Sequence, residues 1–451
     1  MGETSGIMNA PNNAGKQEPT DWRASLQAYT DRRVLMVLAL GFSSGLPLML
    51  TYRTLSAWLA TAGVNRAAIG AFALVGTSYA LKFLWSPLID QLPPPLPLGR
   101  RRGWGITIQL ALVVATLGLG LCDPRRHLAL MGAMAVLVAF LSASQDIVID
   151  AWRVEVLTLD LQGAGAGTYT TGYRLGMLVA GAMALVIASR AGWFAAYASM
   201  AGLVAVGMLA FLIGPEPKAA SDNVRNMGRG REAVRHWFAT AVAGPFADFM
   251  RRPLWLVILV FVVAYKLAEG MAAVMANPLY ISLGFTLDEI AAVSKVVGFA
   301  GTVVGALVGG VITARFGIVR SLLVCGVLQA LGNLFYVLQA VGGHRIGYLV
   351  LCVTAEQVTS AMAGTALVAY LSSLCSPAFT ATQYALLASL AAVGRTLVAS
   401  WSGVLVDATG WANFFLITTV VTAPALLLLI WIGRRSTIPA DQESPVPVSV
   451  R

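Results

Sequence analysis

Apolar residues fall along the chain in twelve runs, each long enough to cross a bilayer, separated by mostly short polar joints. A helical crossing takes about 20 such residues. The pattern predicts helices near 33–60, 67–91, 104–121, 127–150, 164–190, 192–214, 254–283, 287–314, 318–341, 345–374, 379–406 and 410–433. Residues 1–32 are polar and lack the apolar centre of a cleaved leader. They and residues 436–451 are expected to be disordered cytoplasmic tails. The longest joint, 215–253, is basic and carries Trp237, Phe238, Phe246 and Phe249. It is expected to lay an interfacial amphipathic helix on the inner leaflet. It also divides the chain into two six-helix halves, 33–214 and 254–435.

Composition agrees with that pattern. Of 451 residues, 57% are hydrophobic and 12% charged, against about 25% charged in soluble proteins. The fold class is therefore an all-α polytopic membrane protein. The net charge of +10 first suggests nucleic acid or anionic lipid. The positions of the basic residues give a simpler account. Arg32, Arg33, Arg100–Arg102, Arg153, Arg225, Arg251, Arg252, Arg315, Arg320, Arg434 and Arg435 fall on one side, and only Arg66, Arg125, Arg126, Arg190 and Arg345 on the other. That asymmetry puts both termini in the cytoplasm and removes the case for nucleic acid. Cys122, Cys325, Cys352 and Cys375 have no paired spacing, and His127, His236 and His344 fall in joints. No metal site is expected.

The two halves share traces of a repeat. One constant offset superposes Gln162 on Gln383, Ala164 on Ala385 and Arg174 on Arg395; a slightly smaller one superposes Gly192-Trp193 on Gly410-Trp411. Parallel six-helix repeats are the architecture of major-facilitator transporters, which bind substrate between the halves near the midplane. After helix 2, Asp90 and Gly99-Arg100-Arg101-Arg102-Gly103 resemble the degenerate Asp…Gly-Arg-Arg signature of that superfamily, and Gly309-Gly310, Arg315, Gly317 and Arg320 stand in the equivalent joint. There an acid at a helix end pairs with basic joint residues and latches the cytoplasmic side. Asp90, Arg100, Arg101 and Arg102 are the gating candidates. The spacer Pro93-Pro94-Pro95 lengthens the signature.

A charge at a helix centre costs about 2.5–3.5 kcal/mol on insertion scales. The residues nearest the midplane are Lys82, Arg174, Lys266, Glu269, Lys295, Glu356 and Arg395, with Arg53 toward the periplasmic end of helix 1. Five cations against two anions make a positive interior that suits an anionic substrate. Arginine adds bidentate bonding to carboxylate or phosphate. Lys266 and Glu269, three apart on one face, also fit a structural ion pair. A buried carboxyl that alternates between apolar and cationic surroundings can load and release a proton, so Glu269, Glu356 and Asp146 are the proton-coupling candidates. Ser142 through Asp150 is the densest polar segment of any span, and Asp146 and Asp150 share a helix face. A magnesium-dependent transferase would need a second acidic motif facing this pair, and none is present.

Several long motifs, in order, resemble the AmpG-type muropeptide permeases. They are Leu40 through Leu48, Lys82-Phe83-Leu84-Trp85-Ser86-Pro87-Leu88-Ile89-Asp90, Gly99 through Trp104, Ser142 through Trp152, Gly172-Tyr173-Arg174-Leu175-Gly176, Tyr265-Lys266-Leu267, and Ala392-Val393-Gly394-Arg395, with Lys295 and Glu356 continuing the match. The resemblance covers about residues 33–433 and implies a bacterial inner-membrane permease. Such a protein imports GlcNAc-1,6-anhydroMurNAc peptides for wall recycling by alternating access. The proton gradient drives it and no cofactor is needed. In some bacteria the products induce β-lactamase. On that reading Lys82, Arg174, Lys295, Arg395, Gln145, Tyr173 and Lys266 are substrate-binding candidates, and the chain works as a monomer in the lipid bilayer. The alternatives are transport of another bulky anion such as an acyl-CoA, since eukaryotic acetyl-CoA transporters are distantly similar, and a membrane sensor that does not transport.

Overall fold

A computed structural model describes residues 22–65, 68, 72–217, 243–399 and 401–435, and no strand occurs among them. The main helical elements are numbered α1 to α12 in chain order, and among the described residues nine helical stretches are long and apolar enough to cross a membrane. α1 runs Arg32–Met49, through a π turn Leu50–Thr54, to Leu55–Thr61. α2 consists of short pieces: 3-10 turns Phe72–Gly76 and Lys82–Leu84 around Thr77–Ala80, then Ser86–Gln91. α3 is Arg100–Gly120, α4 Leu128–Val156. α5 is Gln162–Leu178, continued by a π turn Val179–Met183 and Ala184–Ala191. α6 is Trp193–Ile213 and α7 Trp255–Ser282. α8 joins Leu287–Val293, a π turn Ser294–Gly298 and Phe299–Phe316. α9 is Ile318–Gly342, α10 Ile346–Ser373, α11 Thr380–Ala399 then Ser402–Thr409, and α12 Trp411–Arg435. Most of the expected interfacial helix of 215–253 lies outside the described residues; its described end holds Gly244–Met250.

Three local expectations need correction. The segment 1–32, expected to be a disordered tail, carries a helix Trp22–Gln27 and a 3-10 turn Ala28–Thr30 ahead of α1. The second run is not one continuous helix over 67–91. Pro87 opens its last piece and cannot donate into the preceding turn, so Lys82 sits in a 3-10 turn. The third helix starts at Arg100, four residues before the apolar run, so the three arginines form its first turn and are not in a free loop. Elsewhere the Asp31 side chain caps α1 by accepting from Arg33 N at 2.7 Å, and the hydrogen-bonded Arg33 guanidinium holds its carboxyl below the ordinary range.

The joints repeat between halves. Gly99 before α3 and Gly317 before α9 both take positive φ, as do Gly192 before α6 and Gly410 before α12. That backbone region favours glycine. Gln162 donates to Leu157 O at 2.9 Å, while Gln383 accepts from Ser376 N at 2.7 Å, so each ties the start of its helix to the joint before it. The offset that pairs these glutamines also places the π turn of α5 opposite the interruption of α11.

Glycines set the closest helix contacts. α1 meets α5 through Gly41, Gly45, Gly172 and Gly176, each with its Cα against backbone of the other helix. α5 meets α8 through Gly163, Gly167 and Gly310, where a Cβ on Gly167 would stand 2.5 Å from Ala306 O. This second contact joins the two halves. Outward faces of α3, α6, α9 and α12 show Val114, Leu209, Leu331 and Val420, as a lipid-facing surface requires.

Gly45→Val should force the α1–α5 pair apart, because its Cβ collides with Tyr173 O. The expected loss is about 1–3 kcal/mol, read as a lower melting temperature of the detergent-purified protein. An unchanged melting temperature would refute the contact.

Candidate transport site and gate

The basic end of the bundle is held by one acid. Asp90, at the end of α2, is buried and accepts from Arg101 Nη2 at 2.8 Å. Its other bonds reach the second half: Thr382 N and Thr382 Oγ1 both donate at 2.8 Å, and Ala381 N at 3.3 Å. The carboxylate therefore sits on the N-terminus of α11, where unpaired amides and the helix dipole favour an anion. Arg101 is fully buried and also donates to Glu155 at the end of α4, with Nε to Oε2 at 3.0 Å and Nη2 to Oε1 at 2.5 Å. Arg100 reaches the same Glu155 Oε1 at 3.1 Å. Arg102 turns the other way and donates to Gly214 O at 2.7 Å.

Three arginines in the first turn of a helix oppose its dipole. Glu216 offsets this by accepting from Arg101 N at 2.8 Å and Arg102 N at 3.0 Å. The proline spacer packs beneath Gly103, where a Cβ would meet Leu96 O and Pro94. Trp104 Nε1 donates to Leu92 O at 3.1 Å. A further hydrogen bond between the halves runs from Tyr29 OH to Leu307 O at 2.7 Å.

Inside the first half, the polar segment of α4 makes a separate network. Ser44 Oγ donates to Asp146 Oδ1 at 2.5 Å and lies 3.2 Å from Tyr169 OH. Lys82 Nζ donates to Asp150 Oδ2 at 3.3 Å with both side chains nearly covered. Trp85 Nε1 donates to Ser144 Oγ at 2.9 Å. Gln145 is fully buried, and neither end of its amide has a partner.

Between the halves lies a cavity of about 260 Å³, lined by Thr170, Arg174, Lys266, Glu269, Gln357 and Tyr384 among others. Lys266 and Glu269 form an ion pair on α7, and Gln329 Nε2 donates to Glu269 Oε2 at 3.2 Å. Arg174 is exposed on the opposite wall. Glu356, on α10, accepts from Gln357 Nε2 at 2.5 Å and lies within the electrostatic reach of Glu269, Arg174 and Lys266. A second recess, about 450 Å³, is lined by Tyr52, Arg53, Ser56 and Phe72.

The candidates thus divide into groups. Arg174, Lys266 and Glu269 line one cavity, and Glu356 stands within electrostatic reach of all three. Asp146, Lys82 and Gln145 belong to the first-half network and do not line that cavity. Tyr173 is half-buried, its ring 6.1 Å from that of Tyr169. Lys295 is exposed on the π turn of α8, away from the cavity lining. Arg395 lies on α11, with its side chain outside the described residues. The site and gate also use Glu155, Glu216, Thr382, Gln357 and Tyr384, which the sequence reading did not single out. An acid in the last turn of α4 and another just beyond α6, on the side of the arginine run, are the signal that could have found the two glutamates.

Known proteins can be set beside this geometry. An Escherichia coli K12 protein named anhydromuropeptide permease is 40% identical over 408 residues, covering 90% of this chain and 80% of its own. A Rickettsia conorii protein named as transporter AmpG 4 is 32% identical over 414 residues, covering 91% and 99%. The chain belongs to the AmpG family of permeases. A profile described as Major Facilitator Superfamily matches residues 266–449, and one described as Acetyl-coenzyme A transporter 1 matches residues 33–129. The human organic anion transporter MFSD10 superposes with a TM-score of 0.62 over 91% of this chain and 100% of its own, at 15% identity. That likeness places the fold. The chain is a multi-pass major-facilitator transporter, and its halves meet as that fold requires.

Asp90→Ala should loosen the basic end. It leaves the buried Arg101 short of a partner, a change that costs about 3–5 kcal/mol when a buried pair is broken. A cysteine placed at Thr382 should then react with a water-soluble maleimide several-fold faster than in the Asp90 background. Equal reactivity in both would show that the clasp does not hold the halves together.

Proposed function

We propose that this protein imports anhydromuropeptides across the bacterial inner membrane, driven by protons, by alternating access. The observation that carries the reading is the cavity between the halves, where Arg174 faces the Lys266–Glu269 pair above a sealed basic end. The name of the Escherichia coli relative supplies the substrate class. A stem peptide bears carboxylates, and cations that face a water-filled cavity reduce the cost of drawing such a group from solution.

Basic joints stay in the cytoplasm, so the clasped end is assigned to that side. The conformation then opens toward the periplasm, ready to load. Glu269 is neutralised by Lys266 when the cavity is empty. A substrate carboxylate competes for Lys266, and Glu269 then gains from taking a proton. Glu356, close to the same charges, can hold that proton in turn. Loading both proton and substrate leaves fewer uncompensated charges in the cavity, which favours closure around them.

The match of residues 33–129 to acetyl-coenzyme A transporters favours a second reading, a bulky acyl-CoA anion in the same cavity. Uptake of labelled GlcNAc-anhydroMurNAc-tripeptide into proteoliposomes, with and without an inward proton gradient, separates the two. Gradient-dependent accumulation that excess acetyl-CoA does not inhibit is the expected result. Competition by acetyl-CoA with no muropeptide uptake would move the assignment to the second reading. Glu356→Gln should lower gradient-driven accumulation at least tenfold while substrate exchange without a gradient continues. Loss of both would return Glu356 to a binding or structural role.

A further inference from the structure

Arg153, near the end of α4, is the least explained charge among the described residues. Its side chain is fully buried, and none of its three guanidinium nitrogens has a hydrogen-bond partner. The paired acid is Asp150, 3.8 Å away, whose other oxygen already takes Lys82. In place of acceptors, Arg153 has rings. Tyr169 of α5 lies 5.6 Å from its guanidinium carbon and Tyr384 of α11 lies 5.3 Å away. One ring belongs to each half. Cation–π contact gives roughly 2 kcal/mol when desolvated, which does not replace five unsatisfied donors in a buried setting.

Tyr384 also lines the cavity that holds Arg174 and Lys266. Its ring therefore touches both that cavity and the Arg153 guanidinium. α11 is fastened to the first half by the bonds from Ala381 and Thr382 to Asp90, one turn or less before Tyr384. When those bonds break and the basic end opens, Tyr384 leaves with α11 while Arg153 stays with α4. The guanidinium is then uncovered toward the opening path with its donors free, a geometry that suits a carboxylate.

We propose that Arg153 is an inner anion subsite, capped by Tyr384 in this conformation, that takes a carboxylate of the substrate from the Arg174–Lys266 cavity as the basic end opens. The proposal rests on the transport reading above and adds a second station on the path. It gives Arg153 a role in movement and none in first binding.

The test is uptake and binding of labelled GlcNAc-anhydroMurNAc-tripeptide by the full-length protein in proteoliposomes. Arg153→Gln should lower the turnover at least tenfold with KM nearly unchanged, and Arg153→Lys should keep a substantial part of it. Tyr384→Ala should uncover the subsite early and tighten equilibrium binding several-fold, a gain that the Arg153→Gln/Tyr384→Ala pair loses. That cycle isolates the coupling between the two side chains and does not depend on Arg153→Gln being active. If the wild type transports and Arg153→Gln raises KM as strongly as it lowers turnover, the inner subsite is wrong and the transport reading stands. Tyr384→Ala binding no tighter than wild type, or equally tight with and without Arg153, overturns it as well. A wild type that moves no muropeptide overturns both.

Discussion

A charged group inside a bilayer must find an opposite charge, a hydrogen-bond set or water, and this constraint arranges the bundle. Asp90 is the point on which most depends. One carboxylate takes Arg101 from its own half and the first amides of α11 from the other. Removing it would leave the buried Arg101 with Glu155 as its remaining acid and would take the acceptor from the first amides of α11. The closed basic end is thus an electrostatic arrangement first, with the glycine contact of α5 and α8 fitting close beneath it.

The same constraint separates charges that hold from charges that can exchange partners. Lys82 and Asp150 are paired and nearly covered, so they stiffen the first half. Arg101 and Glu155 bind α3 to α4. Around the central cavity the balance differs. Arg174 is open to water, Lys266 and Glu269 satisfy each other at the cavity wall, and Glu356 stands nearby. Groups with accessible alternatives can change partners at low cost, and such exchange is what coupling a solute to a proton requires. The fixed charges sit in the first half and at the basic end, and the exchangeable ones at or beside the central cavity.

Helical irregularities complement this layout. π turns interrupt α1, α5 and α8, and α2 and α11 are broken. Such interruptions are tolerated at membrane depth where protein or a water-filled cavity satisfies the freed backbone groups. They divide elements near the cavity into parts that can tilt separately. The glycine contacts between α1 and α5 hold these two helices of the first half together.

Much of the fold was legible in the sequence, because hydrophobic run length and basic-residue placement are local properties. The apolar runs and the pairing of Asp90 with an arginine of the run after it could be read directly. The glycine joints also lie in the chain, since the positive φ before α3, α6, α9 and α12 falls where glycine is favoured. Partnership was not legible. Lys266 and Glu269 are three residues apart and could be paired by helix period alone. Asp90 and Thr382, or Arg153 and Tyr384, are far apart in sequence and meet only because the halves close on one another. Seven intramembrane charges looked alike in the sequence; tertiary packing put three of them on one cavity wall with Glu356 in their electrostatic reach, and paired Lys82 with Asp150. The chain's own pattern determined that it spans a membrane and where its charges enter it. Only the folded bundle decided which charges meet, because desolvation and pairing depend on distances across helices that no local pattern encodes.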